Sequence, residues 1–151
     1  MTDRVTAQEI TITRVFDAPR ELVWKAWTEP EQLARWWGPA GWTNPLETIS
    51  MDLRPGGRFS VTSVSDADGT EMTSEGVYRE VVEMERLVFD EPAENAWHEG
   101  AVSTATFTDL GDGRTEVVLH STINTTDEMR AGAEAGMAGS LDRLAEHLAA
   151  R

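Results

Sequence analysis

The sequence predicts an α+β fold, a curved antiparallel sheet of about seven strands wrapped around one long C-terminal helix, with two short helices after the first strand. Three observations carry this. Stretches of alternating apolar and polar residues follow one another with turn sequences between them, at 54–57, 66–69 and 111–113, and tight turns join antiparallel neighbours. Near the C-terminus, Met137, Leu141, Leu144 and Leu148 recur at helical spacing. Five of the six tryptophans lie within nineteen residues, from Trp24 to Trp42, a density that either plugs a core or walls a pocket.

The elements follow in order. Residues 9–16 alternate as a strand carrying Ile10, Ile12, Val15 and Phe16. Pro19 suits a helix start, and Leu22, Val23, Ala26 and Trp27 give that helix one apolar face. Thr28 and Glu31 have the spacing of a capping box for a second helix bearing Leu33, Trp36 and Trp37, which Gly38-Pro39 stops. Residues 47–53 alternate with Ile49, Met51 and Leu53 on one face, and 54–57 turn the chain. Strands are expected at 58–65, 72–83, 86–90, 102–109 and 115–123, with a loop at 91–100 that carries Trp97 and His98.

The terminal helix is expected over 126–150. Thr125 and Glu128 have capping-box spacing, Asp127 and Glu128 suit its positive end, and His147 and Arg151 its negative end. Its first half is small: Ala131, Gly132, Ala133, Ala135, Gly136, Ala138 and Gly139. Each glycine costs about 1 kcal/mol of helix propensity relative to alanine, so three of them need a reason. Close approach of the helix to the sheet is one reason, and room for a cavity beneath it is another.

A length of 151 residues fits a single domain, 1–151, able to bury a core without staples. There is no cysteine, hence no disulfide and no thiolate chemistry. The N-terminus lacks an apolar signal core, and no stretch reaches the roughly 18 apolar residues of a membrane span, so a cytoplasmic protein is expected. The net charge of −14 argues against nucleic acid and against an anionic membrane, both of which need a basic footprint. Lys25 is the only lysine, and so the only Schiff-base candidate.

No nucleophile elbow, phosphate loop or dinucleotide fingerprint is present. His98, His120 and His147 lack the spacing of a metal site, and no metal or cofactor is expected. The suggestive group is aromatic: Trp36, Trp37, Phe59, Tyr78 and Trp97, facing Gly136, Met137 and Leu141 of the terminal helix. Alternation places Tyr78 on one strand face with Gly76 and Glu80, and a glycine two residues before a large ring suits either a pocket wall or tight packing. Glu75 and Glu80 are the carboxylates on that strand which burial could turn into an acid or base.

These residues also resemble a family. The runs Phe16-Asp17-Ala18-Pro19, Val23-Trp24-Lys25-Ala26-Trp27-Thr28, Arg35-Trp36-Trp37-Gly38-Pro39 and Asp52-Leu53-Arg54-Pro55-Gly56-Gly57-Arg58-Phe59 are similar to bacterial homologues of the activator of the heat-shock protein 90 ATPase. So are Gly76-Val77-Tyr78-Arg79-Glu80-Val81, Glu85-Arg86-Leu87-Val88-Phe89, and the tail from Gly136-Met137 to Leu141-Asp142-Arg143-Leu144. The resemblance covers nearly the whole chain and implies the helix-grip fold of the START-like (SRPBCC, birch-pollen-allergen-like) superfamily. That superfamily hosts many functions, so the fold alone does not choose one.

Three readings of function follow. The first is a protein that binds a hydrophobic small molecule between sheet and helix, without a defined catalytic activity. The second is an interaction domain of the co-chaperone kind. The third is a cyclase- or dehydratase-type enzyme using one buried carboxylate and Tyr78. Eukaryotic activators carry a separate N-terminal domain that makes much of the chaperone contact. This chain opens on the first helix-grip strand, so it is expected to dock on a chaperone weakly at most. A homodimer is compatible with the sequence.

Overall fold

A computed structural model describes residues 4–92 and 98–150. The chain forms β1 (Thr6–Phe16), α1 (Arg20–Thr28), α2 (Pro30–Leu33), β2 (Trp42–Thr43), a 3-10 turn (Leu46–Thr48), β3 (Ser50–Met51), β4 (Arg58–Ser65), β5 (Glu71–Val82), β6 (Arg86–Glu91), β7 (Ala101–Gly111), β8 (Arg114–Thr125) and α3 (Asp127–Ala149). All pairings are antiparallel, in the order β1-β8-β7-β6-β5-β4-β2, with β3 added beside β4. The α+β helix-grip architecture expected from the alternation is therefore present, with eight strands, two of them only two residues long.

Four local expectations are corrected. The Thr28–Glu31 capping box does not form: Thr28 Oγ1 donates to Trp24 O at 2.9 Å, and α2 starts on Pro30 at its first position. The second helix ends at Leu33, so Trp36 and Trp37 lie in the turns that follow it. The strand expected over 47–53 is reduced to Ser50–Met51 and is preceded by a 3-10 turn, in which Thr48 turns back to Pro45 O through both its N–H, at 3.0 Å, and its hydroxyl, at 2.7 Å. The cap of α3 is Thr126, one residue later than expected, accepting from Met129 N–H at 3.1 Å.

Three indoles fill the end of the sheet beside α1. Trp24, Trp27 and Trp36 are buried, and Phe107 of β7 meets Trp24 and Trp27 edge-on at centroid distances of 5.3 and 5.8 Å. Trp27 and Trp36 lie 4.8 Å apart, and Trp36 Nε1 donates to Ala26 O at 2.9 Å. Each buried Trp or Phe removes a large apolar area from water, so this cluster anchors the core.

Two packing regimes divide α3. Leu141, Leu144 and Leu148 are buried in its second half, while Ala133 and Gly136 are the buried residues of its first. Arg143 and Ser140 tie the helix to the segment after α2. The Arg143 guanidinium donates to Trp37 O, Gly38 O and Pro39 O at 3.0, 2.9 and 3.0 Å. Ser140 Oγ donates to Trp36 O at 3.1 Å and accepts from Gly38 N–H at 3.1 Å. Asn44 Nδ2 donates to Ala34 O and Trp37 O from the other side, and Ser63 Oγ donates to Asn44 Oδ1.

Substituting Arg143→Met keeps the aliphatic stem but takes the guanidinium from three carbonyls, of which only Trp37 O keeps another side-chain donor, Asn44. Hydrogen bonds to charged groups contribute ~1.5–3 kcal/mol, so urea unfolding should show a loss of roughly 2 to 3 kcal/mol. A loss below about 0.5 kcal/mol would mean that water replaces the guanidinium at no cost.

Candidate functional site

Between the first half of α3 and the concave face of the sheet lies a cavity of about 120 Å³. Its apolar wall is built from Trp27, Trp36 and Trp37, Phe89 of β6, Leu119 and Ile123 of β8, and Met137 and Leu141 of α3. Ala133 and Gly136 face it from the helix, and their small size is what leaves the space open. Such a volume is of the order that holds one aromatic ring.

Strand alternation also brings polar groups inward. Ser103 and Ser121 are paired across β7 and β8, are buried, and share a hydrogen bond of 2.6 Å. Ser74 of β5 is buried on the same face, and all three line the cavity. Leu87 and Phe89 point into the core, so the next inward position on β6 belongs to Glu91. Its side chain is only 14% exposed and lines the cavity, opposite a buried His98.

The electrostatics follow from burial. Desolvation, with a smaller contribution from the neighbouring Asp90, raises the Glu91 carboxyl to about 7. Desolvation also lowers the His98 imidazole. His98 Nδ1 accepts the Gly100 N–H at 3.0 Å, so a neutral ring carries its proton on Nε2. That nitrogen stands 4.0 Å from Glu91 Oε2, too far for a hydrogen bond. The buried Trp27 Nε1–H has no hydrogen-bond partner among the described residues.

The sequence-predicted residues divide between two places. Trp36, Trp37, Gly136, Met137 and Leu141 all line this cavity. Phe59 and Tyr78 do not; they line a neighbouring void of about 20 Å³, which shares Trp27, Trp37 and Phe89 with it. Trp97 lies outside the described residues. Gly76 proves to be a packing residue: a Cβ there would come within 2.2 Å of Asp90 O and 2.6 Å of the Phe59 ring. Burial holds the Tyr78 hydroxyl well above its usual range, so the phenol stays protonated.

The carboxylates named from the sequence are not buried. Glu75 is exposed. A bulge between Tyr78 and Glu80 turns Glu80 away from the core, where it pairs with Arg86, and that hydrogen bond lowers its carboxyl. Glu91 is the buried carboxylate instead. It was missed because the strand was ended at 90; one more step of the Leu87–Phe89 alternation reaches it. His98, read as unrelated to any site, is the other polar residue at this end. His120 pairs with Glu9 and Thr11 at the β1–β8 surface, and His147 meets Gln32 at 3.3 Å. Among the described residues no three His, Asp or Glu converge on a common point, and no helix is long and apolar enough to cross a membrane.

Comparison with known proteins fits this geometry. The profile of one protein family, described as activator of Hsp90 ATPase homolog 1-like protein, matches residues 17–149. A protein of Chromobacterium violaceum is 26% identical with a TM-score of 0.79, covering 93% of this chain and 96% of its own. An AHSA1-like protein of Aeromonas hydrophila is 25% identical with a TM-score of 0.80, covering 95% and 93%. A protein of Arthrobacter aurescens, at 23% identity, shares the fold with a TM-score of 0.81 over 97% and 92% of the two chains. No protein of curated function matches the sequence.

The Glu91 carboxyl gives a pH signature. Its folded value of about 7 exceeds the ordinary 4.5, so the folded state binds this proton more tightly than the unfolded chain. The resulting stabilisation is complete below about 4.5 and is lost as pH rises through about 7. Glu91→Gln should therefore raise the melting temperature by several degrees at pH 8 and by little at pH 5, on the order of 3 kcal/mol separating the two limits. Equal shifts at both pH values would show that the carboxyl is solvated.

Proposed function

The chain belongs to the family of activator of Hsp90 ATPase homolog 1-like proteins, and from its internal cavity we propose that it binds a small apolar molecule between sheet and α3. The observation that supports this reading is the way the fold maintains the space. The first half of α3 offers Ala133 and Gly136 where leucines would fill the gap, and three large indoles stand around it. Packed interiors keep few voids wider than a water molecule. Apolar contact with the indoles and Phe89 supplies the affinity, and the inward serines orient a polar end. The protein acts here as a binder, with no catalytic step assigned.

The family description supports a second reading, a role in the ATPase cycle of a chaperone. The net charge of −14 favours docking on a basic patch, an attraction that moderate salt screens. In a turnover assay with a bacterial chaperone of this class, a rise of less than severalfold at moderate salt is expected. A larger, salt-resistant rise would put the interaction reading first.

Filling the cavity tests the first reading directly. Toluene titrated into the protein should quench or shift the emission of the cavity tryptophans in a saturable way. Gly136→Leu should abolish that response in a protein whose circular dichroism is unchanged, while Gly132→Ala, on the exposed face of α3, should retain it. An unaltered response in folded Gly136→Leu would overturn the site.

A further inference from the structure

We propose that the occupant of the cavity is a cationic amphiphile, an apolar ring or short chain against Trp27, Trp37 and Phe89 carrying an ammonium group that sits at the Glu91 end. The inference rests on the cavity-binding reading above and names the chemical class of its ligand.

Glu91 is the observation that selects the class. Its side chain is 14% exposed, it lines an otherwise apolar cavity, and among the described residues no donor hydrogen-bonds its carboxyl. Buried charges in proteins are paired, and an unpaired one asks for a cation or a donor. The described residues supply neither within hydrogen-bond distance of its carboxyl. No lysine or arginine lines the cavity among the described residues. His98 is the other titratable group there, and it is held neutral by burial, with Nε2 4.0 Å from the carboxylate. Asp90, the adjacent residue, is turned outward to Arg79 and adds negative charge rather than cancelling it.

An ammonium group completes this arrangement. It gives Glu91 a charge-assisted hydrogen bond, the strong kind in a desolvated site. The remaining N–H bonds find acceptors in the Ser103 and Ser121 hydroxyls, which line the same cavity. The faces of Trp37 and Phe89 attract a cation through their ring quadrupoles. The net charge of −14 raises the local concentration of cations around the molecule. A carboxylate head would face Glu91 as a like charge, and an alcohol would offer one neutral hydrogen bond.

Three probes of one shape separate these cases: 3-phenylpropylamine, 3-phenylpropan-1-ol and 3-phenylpropanoate, titrated at pH 8 in 0.15 M salt with about 1 mM probe at the top of the range. The amine is expected to bind at least roughly tenfold more tightly than the alcohol, and the carboxylate more weakly than either. Glu91→Gln should bring the amine down to the affinity of the alcohol and leave the alcohol within about twofold. Glu75→Gln, which removes an exposed carboxylate, should leave the amine preference intact and so exclude general attraction to an acidic surface. Equal affinity for amine and alcohol, or a preference that survives Glu91→Gln, would overturn the inference while leaving the cavity reading in place. Failure of all three probes to bind the folded protein would overturn the cavity reading and this inference with it.

Discussion

The guanidinium of Arg143 is the contact on which the shape of the cavity depends. It gathers the carbonyls of Trp37, Gly38 and Pro39, which end the tryptophan segment. Ser140, one turn earlier, holds Trp36 O and Gly38 N–H with a single hydroxyl. One guanidinium nitrogen, Nη1, lies within hydrogen-bond distance of all three carbonyls, and Nη2 reaches Arg35 O at 3.4 Å. Two positions on one helix thereby set the distance between α3 and the loop that carries two of the cavity's indoles. Asn44, clamped by Ser63 of β4, holds the same loop from the sheet side.

With the loop fixed at that distance, the composition of α3 decides what is filled and what is left open. Leu141, Leu144 and Leu148 reach into the core and pack it. One and a half turns earlier the inward positions are Ala133 and Gly136, and the space beneath them stays open. The glycine cost to helix propensity falls on the same half. At Gly139 a Cβ would meet Pro39 Cα at 4.0 Å, an ordinary van der Waals contact, so packing of helix on loop does not itself require a glycine there. Of the two explanations that the sequence suggests for the small half of α3, close approach to the sheet and room beneath the helix, the structure shows room at Ala133 and Gly136.

How much was legible in the sequence follows from the range of each signal. The strands at 58–65 and 86–90 and the long helix were readable because period-2 and period-3.6 patterns are local. The cap of α3 slipped by one residue because Thr125 and Thr126 carry the same chemistry and only the backbone geometry separates them. Trp36, Trp37, Gly136, Met137 and Leu141 line one cavity, and large rings facing small helix residues are the local pattern that implies such a gap. Phe59 and Tyr78 were assigned to it as well, because alternation says which face a side chain takes but not how far along the sheet it sits. The bulge at Tyr78 and Glu80 was invisible for a related reason: one extra residue flips every later side chain, and no turn residue marks it. Arg143 could not be found from periodicity, since its partners lie about a hundred residues away in sequence.

Glu91 is where local consistency breaks, and the break is informative. Six-residue β6 places Leu87 and Phe89 inward, and an aliphatic residue at the next inward position would pack against the same wall without electrostatic cost. The chain carries a carboxyl there instead, with His98 beside it and serines on β5, β7 and β8 of the same sheet. Structural ion pairs also perturb titration, yet Glu91 has no cation of its own to pair with among the described residues, so a structural role in an ion pair does not explain it. Sequences that specify one fold tend to agree with it at every level except where a site requires otherwise. A buried acid at the end of an aromatic cavity is such a place: the stability it withholds above neutral pH is returned when a cation arrives, which links occupancy of the cavity to stability of the fold.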